Sequence, residues 1–330
     1  MSWEVIIPFL RPIEGLIRDP EISDILVNGP DHVFSEKSGE MRRVPGIRIN
    51  EKLLEVAVRN IARVLGDDIS VEKPILDARL PDGSRLTAIF APTSVNGTSI
   101  AIRKFQSKLY GPEDLVRIGT LTPELRLQLE TAVELRKNIL ISGGTGTGKT
   151  TLLNALSQFI GSEERIIVIE DTSEIQMEKD NIVRLEGRRE QPGLPSVSIR
   201  ELLKATLRLR PDRIIVGEIR DREAFDFLQA LNTGHCGSMS TIHANSAPEA
   251  LSRLGTCVLM SGIDLPYKVI RQQIAESLDL VIQLRREPGK RTVSQVLKIK
   301  RYVPAEDYYE FEPVYEKHSH TKAGPSDSNP

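Results

Sequence analysis

The chain has 330 residues, about twice the length of a typical domain, so two domains are expected. Its composition, 39% hydrophobic and 27% charged, is that of a folded globular protein and excludes collagen-like, disordered and disulfide-rich classes. The formal net charge of −2 gives no reason to expect a nucleic acid partner, and no window reaches the ~18 consecutive apolar residues of a membrane span.

The first hundred residues predict a small mixed domain of short strands and helices. Its strand-like runs are separated by turn signals of the kind that close hairpins: Asn28-Gly29-Pro30, Ser38-Gly39, Pro81-Asp82-Gly83 and Asn96-Gly97. Between the second and third of these turns, apolar residues at helical spacing predict a helix with Asn50 as its N-cap and Gly66 just past its end. This part of the chain is therefore expected to be rich in β-structure, with one long helix.

The domain boundary is predicted where the alternation of apolar and polar residues fades, between Gln106 and Thr122. Beyond it, short β-branched runs alternate with amphipathic helices, a pattern typical of a parallel sheet covered by helices on both faces. The last residues are polar and are expected to be disordered. We therefore predict four segments: an N-terminal α/β domain at 1–105, a linker at 106–120, a second α/β domain at 121–312 and a disordered tail at 313–330.

A glycine-rich loop lies near the start of the second domain, between the strand-like "NILIS" and a helix. It matches the phosphate-binding pattern G-x-x-x-x-G-K-[ST], in the strand-to-helix context that the pattern requires. Glycines let successive backbone amides point at a phosphate in conformations that other side chains obstruct. The alternative is a purely structural turn. The loop residues predicted to bind nucleotide are Gly143, Gly144, Thr145, Gly146, Thr147, Gly148, Lys149, Thr150 and Thr151.

Two side chains of this loop indicate ATP with Mg²⁺ as the ligand. Lys149 would place its charge on the β- and γ-phosphates, and Thr150 would offer its hydroxyl to Mg²⁺. The helix that begins there adds the positive end of its dipole. The sequence therefore predicts a nucleotide site at this loop.

Two carboxylates follow apolar strands of the second domain, where a P-loop fold reaches water and metal. Glu218, after "RIIV", is predicted to orient or deprotonate the attacking water; the alternative is an ordinary surface carboxylate. Glu170, at the end of "RIIVIE", is predicted to position metal or water in the same site, and the alternative is a role in a solvated loop or a helix cap. We expect the two strand ends to converge on one site.

The roles of two histidines and two arginines are left open by the residues alone. His235 and His243 share the glycine-rich segment "GHCGSMSTIHAN", where each is either catalytic or structural. Arg85 and Arg103, on strands of the first domain, are either solvated or directed at the terminal phosphate of the nucleotide, as arginine fingers are.

The two cysteines, Cys236 and Cys257, have no C-x-x-C spacing. This spacing favours neither a disulfide nor a zinc site, and both are predicted to be free, buried thiols. Such thiols are typical of a reducing compartment, and the cytoplasm is therefore the expected location.

Four segments, taken together, resemble the signature boxes of the type II/type IV secretion ATPase superfamily. In chain order they are "GGTGTGKT", "IIVIEDTSEI", "RLRPDRIIVGEIRD" and "TGHCGSMSTIHANSAPEALSRL". In the first domain, "DILVNGPDHVFSE", "LPDGSRLTAIFAP" and "TSIAIRKF" resemble the N-terminal domain of the Tad/Flp-pilus and conjugative branch. The resemblance covers nearly the whole chain.

The resemblance implies a RecA-like P-loop domain after a smaller α/β domain, with nucleotide bound between the two. By match to the motifs of this family, Glu170 corresponds to the carboxylate of the acidic box and Glu218 to the Walker B carboxylate. Arg85 and Arg103 correspond to the arginines of the N-terminal domain that contact phosphate. The same match makes His235 and His243 the histidine-box pair, His235 binding nucleotide and His243 assisting catalysis.

The expected function is that of an ATP-hydrolysing homo-hexameric motor. It would act on a polytopic platform protein at the cytoplasmic face of the inner membrane, powering assembly of a Tad/Flp-type pilus or type II/IV secretion. The alternatives are a conjugative DNA-transfer ATPase and a nucleotide-dependent scaffold with little turnover. A nucleic acid is not an expected direct partner, because the chain is slightly acidic and poor in aromatic residues.

Overall fold

The computed structural model of the protein describes residues 6–37, 39–80, 82–105, 109–191, 193–287 and 289–317. By compactness they divide into a first unit, from Met1–Tyr110 and Arg165–Pro211, and a second unit, from Gly111–Glu164 and Asp212–Pro330. The domain bounds derived from sequence stay a prediction, because compactness places residues 165–211 with the N-terminal stretch, whereas strand–helix alternation groups them with the residues around them.

The described residues before Tyr110 form six strands and two α-helices. In chain order these are α1 (Glu14–Arg18), β1 (Ile22–Asn28), β2 (Val33–Lys37), β3 (Glu40–Arg43), α2 (Glu51–Val64), β4 (Ile75–Arg79), β5 (Arg85–Ile89) and β6 (Ser99–Arg103). The strands pair antiparallel in the order β3-β2-β1-β6-β5-β4. The β1–β2, β2–β3 and β4–β5 hairpins lie where the turn signals predict them; Ser38 and Pro81, in two of those turns, lie outside the described residues.

The predicted long helix is confirmed as α2. The side chain of Asn50 accepts hydrogen bonds from the amides of Lys52 and Leu53 at 3.0 and 3.4 Å, which is the N-cap arrangement. Gly66 follows the helix with φ at +75°, a conformation that glycine adopts at little cost. The apolar face of the helix belongs to the core of this unit, formed with inward residues of β1, β5 and β6.

The described residues from Gly111 onward form seven α-helices and eight strands. They are α3 (Pro112–Arg117), α4 (Pro123–Glu134), β7 (Ile139–Gly143), α5 (Lys149–Ser157), β8 (Ile166–Glu170), β9 (Ile182–Glu186), α6 (Ile199–Thr206), β10 (Arg213–Ile219), α7 (Glu223–Asn232), β11 (Met239–Ile242), α8 (Ala247–Met260), α9 (Tyr267–Ser277), β12 (Leu280–Glu287), β13 (Lys290–Val303) and β14 (Tyr308–Glu316).

The sheet of the second unit runs in the order β14-β13-β12-β7-β11-β10. Strands β12, β7, β11 and β10 are parallel, as predicted for this part of the chain, and β7 is buried along its whole length. Strands β12, β13 and β14 extend the sheet as antiparallel hairpins, which the sequence analysis does not predict. β14 continues to Glu316, past the predicted start of the tail, and residues 318–330 lie outside the described residues.

In the first unit, β8 and β9 form a parallel pair with α6 packed on β8. Helix α6 has a capping box, because Ser198 accepts from the amide of Glu201 while the Glu201 carboxylate accepts from the amide of Ser198.

None of the helices among the described residues has both the length and the apolar character that crossing a membrane requires.

Both cysteines are free, as predicted. Cys257 is buried in α8, where burial raises the pKa of its thiol. The prediction is wrong for the burial of Cys236, which is exposed because it lies in the loop between α7 and β11 rather than in either element.

Candidate phosphate-binding site

The loop between β7 and α5 has the backbone of a phosphate cradle. Gly146 and Gly148 have φ of +68° and +92°, in the left-handed region that disfavours other residues, and Gly148 is the N-cap of α5. A Cβ on Gly143 would lie 2.5 Å from Thr147 Oγ1 and 3.0 Å from the carbonyl oxygen of Leu284. The loop therefore needs glycine at these positions, and it leaves its backbone next to the positive end of a helix, where an anion binds.

Lys149 bridges the loop from the first turn of α5. Its Nζ donates to the carbonyl oxygens of Gly143 and Gly144 at 3.0 and 3.1 Å, and Thr147 Oγ1 donates to the same Gly144 carbonyl at 2.9 Å. The ammonium group is thereby held at the mouth of the loop. Thr150 follows Lys149 in the first helical turn, and both side chains are partly exposed, so they are accessible to a ligand in the cradle.

Glu218 and His243 lie at the same edge of the sheet as the loop. Because β7, β11 and β10 are parallel, their carboxyl ends meet at one edge, and the register pairs Ser142 with Ile242 and Ile242 with Ile219. Glu218 therefore immediately precedes this level on β10, and His243 immediately follows it on β11. The structure brings three predicted elements, the loop, Glu218 and His243, to one edge.

The Glu218 carboxylate is mostly buried, with 22% of its side chain exposed. It accepts a hydrogen bond from Arg220 Nε at 2.8 Å and a second from Arg220 Nη2. The strand end that carries it is tied to β11 by Thr241 Oγ1, which donates to the Gly217 carbonyl at 2.7 Å. A fixed carboxylate at this edge can orient a water molecule beside a bound phosphate.

His235 lies at the opposite edge, before β11 begins. Its Nδ1 is 3.0 Å from the carbonyl oxygen of Ala230 at the end of α7. Strand β11 lies between it and His243, and the four residues of this strand span about 13 Å. The structure therefore does not bring His235 to the phosphate loop within one subunit.

The loop that holds His235 contacts Arg213, whose Nη1 donates to the carbonyl oxygen of Gly237 at 3.3 Å. Arg213, 2% exposed, donates from Nε and Nη2 to the two carboxylate oxygens of Glu164, each at 2.8 Å. Burial raises the pKa of Glu164, but the hydrogen bonds and charge of Arg213 outweigh it and hold that pKa below its usual value. A Cβ on Gly237 would lie 2.6 Å from Arg213 Nη1, so only glycine fits there.

Glu170, in the first unit, is a buried carboxylate at the end of β8. It is 5% exposed, and its Oε1 accepts from the amides of Glu174 and Ile175, each at 3.0 Å. Burial raises its pKa to about 7, against these two hydrogen bonds and with help from the nearby charges of Glu174 and Glu186. The Glu170 carboxylate thus fixes the loop that follows β8. Its pKa of about 7 allows it to exchange a proton near neutral pH. Its convergence with Glu218 stays a prediction.

The raised pKa of Glu170 predicts a pH-dependent stability. The folded state binds a proton that the unfolded state has lost above pH ~4.5, so this proton stabilises the fold at low pH and its contribution is lost as pH rises through about 7. The lost contribution is at most about 3 kcal/mol. Urea unfolding at pH 5, 7 and 8.5 should show wild-type stability falling relative to Glu170→Gln, which cannot ionise.

The exposed neighbour Glu178 provides the control for this measurement. Glu178→Gln should follow the wild-type pH profile. Parallel profiles for wild type and Glu170→Gln would show that Glu170 ionises normally and would remove the proton-exchange role.

Arg85 and Arg103 are cross-strand partners on β5 and β6, on one face of the N-terminal sheet. The register adds Arg79 to the row, since it pairs with Arg85 across β4 and β5. Each of the three contacts a carboxylate: Arg79 pairs with Glu186, Arg85 lies 3.8 Å from Asp77, and Arg103 lies 3.3 Å from Asp24. Sequence reasoning missed Arg79, although counting across the Pro-Asp-Gly turn would have placed it opposite Arg85.

Mg²⁺, the metal predicted from the loop sequence, is typically shared between protein oxygens and nucleotide phosphates. Among the described residues there is no group of three or more His, Cys, Asp or Glu side chains arranged to hold a metal ion. Mg²⁺ commonly takes only one or two protein oxygens and completes its shell with phosphates and water. The hydroxyl of Thr150, in the first turn beside the cradle, suits that arrangement.

Comparison with known proteins agrees with this geometry. A family model described as "Type II/IV secretion system protein" matches residues 10–312. The chain is similar to the probable conjugal transfer protein TrbB of Sinorhizobium fredii, 35% identical over 297 residues and covering 89% of this chain and 87% of the relative. It is also similar to the type IV secretion system protein VirB11 of Bartonella henselae, 34% identical over 330 residues and covering 88% and 92%.

Among solved structures, that of the Legionella pneumophila ATPase DotB matches with a TM-score of 0.60 and 19% identity. The match covers 89% of this chain and 81% of that one, and it shows the shared fold. The family match and the fold agree with the resemblance seen in the sequence. The chain therefore belongs to the type II/IV secretion system protein family, and it is a secretion ATPase with a RecA-like domain and an N-terminal domain.

Proposed function

We propose that the protein hydrolyses ATP with Mg²⁺ and works as a hexameric motor for type II/IV secretion or for assembly of a Tad/Flp-type pilus. Its place would be the cytoplasmic face of the inner membrane, against a polytopic platform protein. The observation that carries the proposal is the glycine cradle bridged by Lys149, at the same sheet edge as the fixed Glu218 carboxylate. The names of the relatives support the link to secretion.

In the proposed reaction, the loop amides and Lys149 bind the phosphate chain and stabilise the charge on its oxygens. Glu218 orients the attacking water, and His243 lies at the same edge, where it can sense the terminal phosphate. Thr150 would hold Mg²⁺ with its hydroxyl, and the ion would neutralise phosphate charge when bound. Glu170 would position water or metal from the first unit.

Arg85 and Arg103 would contact the terminal phosphate and couple its presence to movement of the N-terminal domain. A nucleotide can drive such closure only by the difference in its affinity for the open and closed states. Arginines on a moving domain supply such a difference, because their contact with phosphate exists only when the domains close. In the structure Arg85 lies beside Asp77 and Arg103 lies beside Asp24. Phosphate would therefore compete with these carboxylates for the two arginines.

Phosphate release measured on the purified full chain tests the proposal. We expect Mg²⁺-dependent ATP hydrolysis, slowed about 10³-fold or more by Arg85→Gln, because loss of an arginine finger has an effect of that size. Arg42→Gln, on the exposed strand β3, is the matched control and should turn over ATP normally. Tight ATP binding with no phosphate release in wild type would instead support a nucleotide-dependent scaffold.

A second candidate is a conjugative DNA-transfer ATPase, favoured by the 35% identity to a probable conjugal transfer protein. If the chain itself moved DNA, single-stranded DNA would stimulate its phosphate release, and binding would weaken steeply with salt. We expect neither effect, because the net charge is −2. A conjugative role would then be exerted through other proteins of the apparatus.

A further inference from the structure

We infer that Arg286 and Arg291, at the tip of the β12–β13 hairpin, are a second cationic element of the nucleotide site. Arg291 positions the phosphate loop, and Arg286 binds the phosphate chain of the nucleotide held there. The inference rests on the proposed binding of ATP at this loop. It adds two side chains that lie about 140 residues further along the chain than the loop.

Both arginines lie against the part of the loop where the backbone is left-handed. Arg291 Nε donates to the carbonyl oxygen of Gly146 at 2.9 Å. A Cβ on Gly146 would lie 3.2 Å from Arg286 Nη1, and a Cβ on Gly148 would lie 3.5 Å from Arg291 Cδ. The side chains of Arg286 and Arg291 therefore lie next to residues 146–148 of the loop.

The hairpin places these two positive charges directly opposite each other. Arg286 and Arg291 are cross-strand partners, so their side chains share one face. Like charges in such a pair destabilise a hairpin. Among the residues that the structure describes, Arg291 makes no ion pair, so its charge is not neutralised by a carboxylate. An anion at the neighbouring loop would neutralise the charge of Arg291, and a triphosphate is the anion that the loop suits.

Arg291 also fixes the orientation of the Gly146 carbonyl in the phosphate loop. A carbonyl held by a guanidinium group cannot turn into the cradle, so the loop amides on either side keep their N–H groups free for phosphate. The Gly146 carbonyl needs such a partner, because the left-handed backbone there removes it from regular hydrogen bonding. Arg291 is thus a positioning residue, whereas Arg286, with its Nη1 beside the loop, acts on the ligand directly.

The matched control comes from the same hairpin. Arg285 precedes Arg286 on β12, and successive residues of a strand point to opposite faces. Arg285→Gln removes one positive charge at nearly the same place in the chain but from the other face. It separates a specific effect on the loop from a general change in net charge.

The experiment is a titration of the full chain with fluorescent MANT-ATP and Mg²⁺, together with phosphate-release kinetics. Arg286→Gln and Arg291→Gln should each weaken binding and raise KM for ATP about tenfold, with a smaller change in kcat. Arg286→Lys should recover much of the affinity by restoring charge, whereas Arg291→Lys should recover less, since a lysine lacks the Nε donor. Arg285→Gln should bind like wild type, and the melting temperatures of the glutamine variants without nucleotide should not fall below that of wild type.

Wild-type affinity in both glutamine variants would overturn this inference while leaving the proposed function in place. A lowered melting temperature together with equal loss of affinity in the lysine and glutamine variants would assign the two residues a structural role, which also overturns it. No binding of MANT-ATP by the wild-type chain would instead remove the proposed function, and this inference with it. If Arg291→Gln fails to fold, the Arg286 pair of variants decides the outcome alone.

Discussion

Replacing Lys149 by alanine is expected to abolish ATP turnover and to weaken MgATP binding by about a hundredfold or more. The ammonium group is the one charge that the glycine-rich loop itself contributes, and its bonds to the Gly143 and Gly144 carbonyls hold it at the mouth of the cradle. Without it, the backbone amides still face the phosphates, but the phosphate oxygens lose the positive charge that lies at the mouth of the loop. Isothermal titration calorimetry measures the loss of binding, and phosphate release measures the loss of turnover.

Lys137 offers the control for this variant, because it lies just before the other end of the same strand, β7. Its Nζ pairs with Asp279 at 2.9 Å, away from the phosphate loop. Lys137→Ala should keep the affinity and turnover of wild type, with only a small loss of stability, as for other exposed ion pairs. If Lys149→Ala bound and hydrolysed ATP as wild type does, the loop would not be the nucleotide site.

The second large effect is expected from Glu218→Gln, which should retain ATP binding and lower turnover by about 10² to 10⁴-fold. The amide keeps the shape and some of the hydrogen bonding of the carboxylate, but it cannot take a proton from water. Because Glu218 is not part of the phosphate loop, the ground-state affinity should change little. Comparing the Kd from calorimetry with kcat from phosphate release separates the two effects.

Two further variants make this prediction specific. Glu249→Gln, an exposed carboxylate in the first turn of α8, should leave turnover unchanged. Arg220→Gln tests the ion pair that holds Glu218; it should lower kcat less than Glu218→Gln, because the carboxylate remains. Normal turnover in Glu218→Gln would show that another group positions the water.

Local signals explain why much of the fold is predictable. The Asn50 cap, the Gly66 stop and the hairpin turns each depend on a few neighbouring residues, and the structure has α2 and the β1–β2 hairpin where those residues indicate. The loop from Gly143 to Thr150 is equally local, since the pattern, the preceding strand and the following helix are contiguous. Such features need no knowledge of distant partners.

The C-terminal strands could not be predicted in this way. Strand β12 begins with a buried apolar run, which a sequence pattern alone does not distinguish from a helix segment. Its parallel partner is β7, and Leu280 pairs with Ile139 although the two are far apart in the chain. The hairpin tip that carries Arg286 and Arg291 reaches the phosphate loop only through this pairing, so nothing local to the arginines indicates their role.

The two histidines show that residues close in sequence can lie far apart in the fold. His235 and His243 are close in sequence, and the family resemblance groups them as one histidine-box pair, yet they lie at opposite edges of the sheet. The reason is that β11 runs between them and an extended strand carries the chain across the sheet.

The local chemistry can therefore be derived from the order of the amino acids: a glycine cradle, its lysine and threonine, and carboxylates that end apolar strands. Which charged groups share an edge with that cradle depends on the three-dimensional fold. Glu218 and His243 reach it because three parallel strands end together, and Arg291 reaches it because β12 pairs with β7. The physical reason is that strand order and register follow from burial of apolar faces by residues distant in the chain, whereas turns, caps and phosphate loops follow from the backbone preferences of neighbours.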